Sequence, residues 1–374
     1  MSLTKEKVIA LHVSGATDNG QSPSTDIKPS IPEEQPKINE NLEVPDPDTL
    51  HTVTLTEIYE TAYAPRANIV DNFLCAGTYL FVGGPKVGKS FFMAQLGYHV
   101  SAGLPLWENA VNPSTVLYLA LEDPIVRLQK RLSMMFGVSS ADNYHIATQA
   151  KTLRDGLDKQ LDNFMGKYPD TKLIIVDTLQ KVREVGGESY SYANDYEIVT
   201  RLKKFSDKYN ICILAVHHTR KMSAEDVFDT ISGTNGLLGA ADGAYLMHKG
   251  KRTDRDAVLE IVGRDQQDQR LHLSFHQERW VWELTSSKTD LWKEPPDPLL
   301  EAVAKLLSPE LPEWSGTASE LMDRLDGINV QPNVLTRRLN VGADRLWNEH
   351  SIRVETKRTH TGRIVRLTFY QPEA

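Results

Sequence analysis

The run Gly83-Gly84-Pro85-Lys86-Val87-Gly88-Lys89-Ser90 follows the spacing G-x-x-x-x-G-K-[ST]. Glycines at those points let backbone N–H groups curl around phosphate oxygens, and the helix that follows turns its positive end to the same anion. In such a loop the lysine, here Lys89, reaches the β- and γ-phosphates, and the hydroxyl, here Ser90, binds Mg²⁺. The nucleotide would lie along Gly83 to Phe91. A glycine-rich turn can carry the same letters, so context matters. Here TYLFV (78–82) reads as a strand running in and SFFMAQL (90–96) as a helix running out.

Three further spots carry chemistry. The apolar strand LIIVD ends in Asp177, about 88 residues beyond Lys89, and so sets a carboxylate at the sheet edge where ligands bind in open α/β proteins. Many strands end in Asp; after a P-loop the residue is expected to hold Mg²⁺ through water. In TVLYLALEDP, Glu122 and Asp123 close the strand after the P-loop helix. Asp123 suits the N-cap of the next helix and Pro124 its first turn, which leaves Glu122 to polarise an attacking water. In ICILAVHHTRK, His217 and His218 end another strand. Adjacent histidines point oppositely and no third ligand follows at metal spacing, so zinc does not fit. His218 is the expected γ-phosphate contact; plain polarity at a strand end is the alternative.

These residues need a sheet to hold them. Short apolar runs at 78–82, 115–121, 144–148, 172–177, 211–216, 243–247, 257–262 and 270–275 alternate over their first half with helical stretches. The early runs are apolar throughout, as in strands covered on both faces. The pattern predicts an α/β fold over about 51–290, with a mostly parallel sheet and a late antiparallel extension.

Composition bounds the rest. The chain has 374 residues, 42 basic and 50 acidic, for a net charge of −8. Two cysteines exclude a disulfide scaffold or a cysteine-rich zinc site, and the longest apolar run, six residues, is far too short to span a bilayer. A cytoplasmic protein without membrane contact is expected. Residues 1–50 hold six prolines, nine acids and four lysines, the composition of a disordered tail.

After Pro295-Pro296 the order helix, helix, longer helix (332–350), hairpin predicts a winged helix-turn-helix domain over 297–374. Residues 333–370 carry eight basic and three acidic side chains. Leu335, Leu339 and Leu346 form a stripe that leaves Arg337 and Arg338 free to face DNA, with Lys357, Arg358 and Arg363 on the wing meeting phosphates. A winged helix used for protein contacts is the alternative.

Taken together, GGPKVGKS, YLALEDP, LIIVDTL, AVHHTRK, SGTNGLLGAADGAYLM and VGRDQQDQRLHLSF, spanning about 75–285, resemble the RecA-like core of RepA-type hexameric helicases of plasmids, phages and other mobile elements. Related cores occur in DnaB-like helicases and KaiC-type ATPases. The resemblance implies ATP and Mg²⁺ as cofactors, a homo-hexameric ring acting on DNA, Glu122 as catalytic acid and His218 as sensor. It implies Arg264 as an arginine finger for the neighbouring subunit, with Arg270 a competitor and a plain surface charge the other reading. In such rings the 221–236 loop faces single-stranded DNA; here it is acidic, with Glu225, Asp226 and Asp229, and 186–196 with its tyrosines is a second candidate. A DNA-binding ATPase regulator without unwinding activity is the rival reading. Position 84 lacks the signature lysine of partition ATPases, and no primase-like segment precedes the motor, so neither relative is expected.

Overall fold

The computed structural model describes residues 50, 52–183, 192–219, 228, 235–251, 253–288, 295–325, 327–328, 330–359 and 362–371. The tail expected over 1–50, the 221–236 loop and the first half of 186–196 lie outside them, apart from Leu50, Phe228, Asn235 and Gly236. Thr54–Ala374 make one compact unit.

Helix α1 (Leu55–Glu60) and a ribbon of β1 (Asn68–Val70) and β2 (Leu74–Cys75) come first. Strand and helix then alternate through β3 (Gly77–Gly83), α2 (Lys89–Ala102), β4 (Thr115–Ala120), α3 (Ile125–Phe136), β5 (Tyr144–Ala147), α4 (Leu157–Lys167), β6 (Thr171–Asp177), α5 (Leu179–Val182), α6 (Tyr192–Tyr209), β7 (Cys212–His218), α7 (Asn235–Ala240) and β8 (Gly243–His248). Strands β9 (Asp256–Gly263), β10 (Gln269–His276) and β11 (Val281–Ser287) follow. All join one nine-stranded sheet in the order β11-β10-β9-β8-β3-β7-β6-β4-β5. Pairing is parallel from β5 to β8 and antiparallel from β8 to β11. The eight expected strands all form; β11 and the β1–β2 ribbon were not legible as strands.

Strand periodicity explains why the parallel runs are apolar throughout, because successive side chains enter opposite faces. On one face Phe81, Tyr118, Ile175 and Leu214 join a core with Phe92 of α2 and Trp282 of β11. On the other Leu80, Leu119, Val176 and Ile213 join a second core with Leu161 of α4 and Leu202 of α6. Fully burying one such side chain contributes roughly 1.5–3 kcal/mol, so both faces hold the sheet edge rigid. Among the described residues no helix is long and apolar enough to cross a membrane.

The remaining elements are α8 (Pro298–Ala304), β12 (Glu313–Thr317), α9 (Ala318–Met322), α10 (Pro332–Val341), α11 (Ala343–His350), β13 (Ile352–Thr359) and β14 (Gly362–Phe369). The strands form an antiparallel sheet in the order β12-β14-β13, and the helices share a third core with it. Leu335, Leu339 and Leu346 are fully buried in it, as their spacing predicts. The single helix expected over 332–350 is two. Gly342 ends α10 and begins α11, and a Cβ there would lie 2.9 Å from both methyl carbons of Leu300. The break lets α8 pack close, and periodicity alone does not reveal it.

Candidate nucleotide site

Strand β3 delivers the loop at its carboxyl end, and α2 leaves from Gly88. Lys86 and Gly88 adopt left-handed conformations, with φ of 65° and 106°. Such residues curl successive N–H groups into a concave anion-binding nest, completed by the unsatisfied donors of the first turn of α2. Gly88 is required for a second reason: a Cβ there would lie 2.6 Å from the Trp282 ring. Trp282 Nε1 donates to Gly88 O (3.3 Å), while Gln95 brackets the Trp282 backbone with bonds of 2.8 and 2.9 Å. The antiparallel extension therefore braces the loop from behind. Trp282 and Gln95 escaped the sequence reading because neither belongs to a phosphate motif.

Five predicted residues converge at this edge. Lys89 is buried, and its Nζ donates to Gly83 O (2.7 Å), Gly84 O (3.0 Å) and His218 Nδ1 (3.3 Å). Burial pushes its ammonium pKa down to about 8, with Asp177 and then Glu122 opposing the shift. Asp177 is buried at the end of β6, where it accepts hydrogen bonds from the Ser90 side chain and from Tyr118 OH (2.9 Å). Desolvation raises its pKa, and those two donors pull it back. A hydroxyl beside a carboxylate is an oxygen donor set suited to Mg²⁺, so Ser90 and Asp177 fit the ion the motif implies.

His218 titrates below its ordinary value because it is partly buried, with the Lys89 charge adding to the effect. An ammonium has no acceptor, so Nδ1 is the acceptor of this pair and the ring proton sits on Nε2. His217, by contrast, is buried in the sheet. Of the other loop residues, Pro85 and Lys86 are exposed and Val87 half-buried. Phe91 turns its ring away from the phosphate side onto Phe275 and Trp280, under the Arg131 guanidinium.

Glu122 follows β4 and accepts from Thr178 Oγ1 at 3.0 Å. Asp123 is not the N-cap expected of it: Pro124 takes that position without a side-chain cap, and Asp123 pairs with Arg127 (2.9 Å) and Arg131 (2.6 Å). Two arginines of α3 outcompete one backbone N–H for a carboxylate. Thr178 and Tyr118 were not foreseen; alternation reads Tyr118 as one more core residue of β4.

The Thr178 bond makes a testable demand. Hydrogen bonds to charged groups contribute about 1.5–3 kcal/mol. Thr178→Val, of similar shape, is expected to lower kcat for ATP about tenfold with KM nearly unchanged, and Thr178→Ser to restore it. Steady-state ATPase kinetics check this, and a rise in KM alone would instead assign Thr178 to ground-state binding.

Arg264 lies elsewhere. It follows β9, whose last residue Gly263 pairs with Gly243 at the start of β8, the end of the sheet opposite the loop. Its Nη2 donates to Gly239 O at 2.7 Å. Arg270, the competitor, sits at the start of β10 near Glu260 (3.8 Å).

The basic residues of the C-terminal region face carboxylates of their own chain. Arg337 (3.4 Å) and Arg363 (2.9 Å) both meet Glu60, and Arg338 meets Asp297 (2.7 Å). Arg345 pairs with Glu349 and Arg366 with Glu313. Lys357 is exposed, and the Arg358 side chain lies outside the described residues.

The order β8-β3-β7-β6-β4 separates the P-loop strand from the Asp177 strand by one intervening strand that ends in His218. A family model described as an AAA domain matches residues 45–224. That strand order and the AAA match support a RecA-like P-loop ATPase core. Curated protein sequences contain no match to the chain. Among solved structures it is similar to one described as an ATPase domain, at 15% identity over 56% of this chain and 85% of that one, with a TM-score of 0.48. It is also similar to a structure described as a DnaB-like replicative helicase and its interactions with primase. There the identity is 15%, the TM-score 0.46, and the match covers 56% of this chain and 57% of that one. The chain thus spans little more than half of that helicase.

Proposed function

We propose that the chain is an ATP-hydrolysing, ring-forming DNA motor, a helicase of the RepA type that serves replication of a mobile element as a homo-hexamer. In this reading 51–290 is the motor, 297–374 a winged-helix module and 1–50 a tail. The observation that carries it is a division of labour across one sheet. Lys89, Ser90, Glu122, Asp177 and His218 meet at one edge, while Arg264 stands at the other. Seven residues of β3 at about 3.3 Å each separate the two edges. An arginine so placed serves a nucleotide held by a neighbouring copy, which makes hydrolysis depend on assembly.

The loop N–H groups and Lys89 orient the triphosphate. Ser90 and Asp177 would hold Mg²⁺, which would supply charge neutralisation to the triphosphate. Glu122, steadied by Thr178, takes the proton of the attacking water, and His218 Nε2 donates to the terminal phosphate. Arg264→Ala is expected to lower kcat about 100-fold without weakening ATP binding, and wild-type turnover to rise steeply with protein concentration. Turnover per chain that is independent of concentration and of Arg264 would sink the ring. ATP hydrolysis with no displacement of a strand from forked DNA would instead favour the DNA-binding regulator, for which the β12-β14-β13 module binds an origin or operator.

A further inference from the structure

The cleft between α10 and the β13–β14 hairpin is where a winged helix would meet a DNA backbone. A segment from the other end of the unit fills it. Glu60, the last residue of α1, bridges the cleft: one carboxylate oxygen meets Arg363 Nη2 of β14 at 2.9 Å, and the other meets Arg337 Nη2 of α10 at 3.4 Å. Asn340 of α10 donates to Tyr59 O at 3.0 Å and accepts from Thr356 of β13 at 3.4 Å.

What holds α1 there is polar and exchangeable. The helix has six residues and buries none of them, and Leu55 is 62% and Tyr59 41% exposed. A helix this short has little stability of its own. A carboxylate shared by two guanidinium groups has the charge and oxygen geometry of a backbone phosphate. Arg337 also keeps a solvent-shielded donor in hand, since its Nε has no hydrogen-bond partner among the described residues.

We propose that α1 is a displaceable cover on the C-terminal module, with the Glu60 carboxylate occupying the place that a DNA phosphate takes between Arg337 and Arg363. The proposal rests on the DNA-binding reading of this module given above. Duplex DNA must then displace Glu60 to engage both arginines, so the free chain binds DNA more weakly than its basic residues allow.

The test measures binding of a fluorescein-labelled duplex to the full chain by anisotropy at a series of salt concentrations. Glu60→Gln keeps the side-chain shape and removes the charge; it is expected to bind about tenfold tighter and with a steeper salt dependence. Adding Arg337→Ala and Arg363→Ala is expected to abolish the gain. Equal affinity of wild type and Glu60→Gln, in a protein that binds DNA, overturns the cover and leaves the DNA-binding reading standing. A gain that survives loss of both arginines also overturns it. Absence of DNA binding in wild type and Glu60→Gln alike overturns the DNA-binding reading and the cover with it.

Discussion

Glu122→Gln is expected to lower kcat for ATP hydrolysis about a thousandfold, within the range that a positioned general base contributes. Gln keeps the size of the side chain and an oxygen for the Thr178 hydroxyl, so the 3.0 Å contact that orients position 122 is retained. What disappears is the capacity to take a proton from water. Among the described residues the hydrogen bond of the Glu122 side chain goes to Thr178, and none goes to the phosphate cradle or to the Ser90–Asp177 pair, so ATP is expected to bind with near wild-type affinity. Titration with a fluorescent ATP analogue, run beside phosphate-release kinetics, separates the two. Turnover within a few-fold of wild type would show that another group activates the water.

Lys89→Met is expected to have a comparable effect through a different physical route. It removes a buried cation from the loop, with an expected fall in kcat/KM of about a thousandfold and loss of the thermal shift that ATP gives the wild type. Yet without nucleotide the variant is expected to be at least as stable as wild type below pH 8. Burial lowers the Lys89 pKa from its ordinary 10.5 to about 8, so the charged form is disfavoured in the fold. As pH rises from about 8 to 10.5 the folded protein has released this proton while the unfolded chain still holds it, and folding gains stability across that window. Below 8 both states are protonated and the full cost is present; methionine removes it. Scanning calorimetry of both proteins at pH 7 and pH 10 tests the sign. A variant clearly less stable at pH 7 would mean that the Lys89 hydrogen bonds to Gly83 and Gly84 outweigh desolvation.

Lys89, Ser90 and Asp177 were legible because each is fixed by its place on a strand–loop–helix unit or a strand end, where local order settles which edge of the sheet a residue reaches. Local sequence points Asp123 to the helix cap, but Arg127 and Arg131 lie one and two turns along α3 and draw the carboxylate away. Gly342 was read through as helix because the leucine spacing continues across it; the need for a glycine comes from Leu300, some forty residues earlier. Trp282 supports the loop from β11, which returns to α2 only after β9 and β10, so nothing local to the loop signals it.

The phosphate loop, the α/β alternation and the strands apolar on both faces are legible in the sequence, because phosphate loops and strand periodicity are properties of contiguous residues. Which donors brace the loop and orient Glu122, and where the basic charges of the C-terminal region go, depends on contacts between residues far apart in the chain. The tally of eight basic against three acidic residues at 333–370 describes a free surface. In the folded chain Glu60, 277 residues from Arg337 and 303 from Arg363, supplies the opposing charge. Ion pairs act through distance in space, and a separation of that length along the chain leaves no periodicity from which to read it.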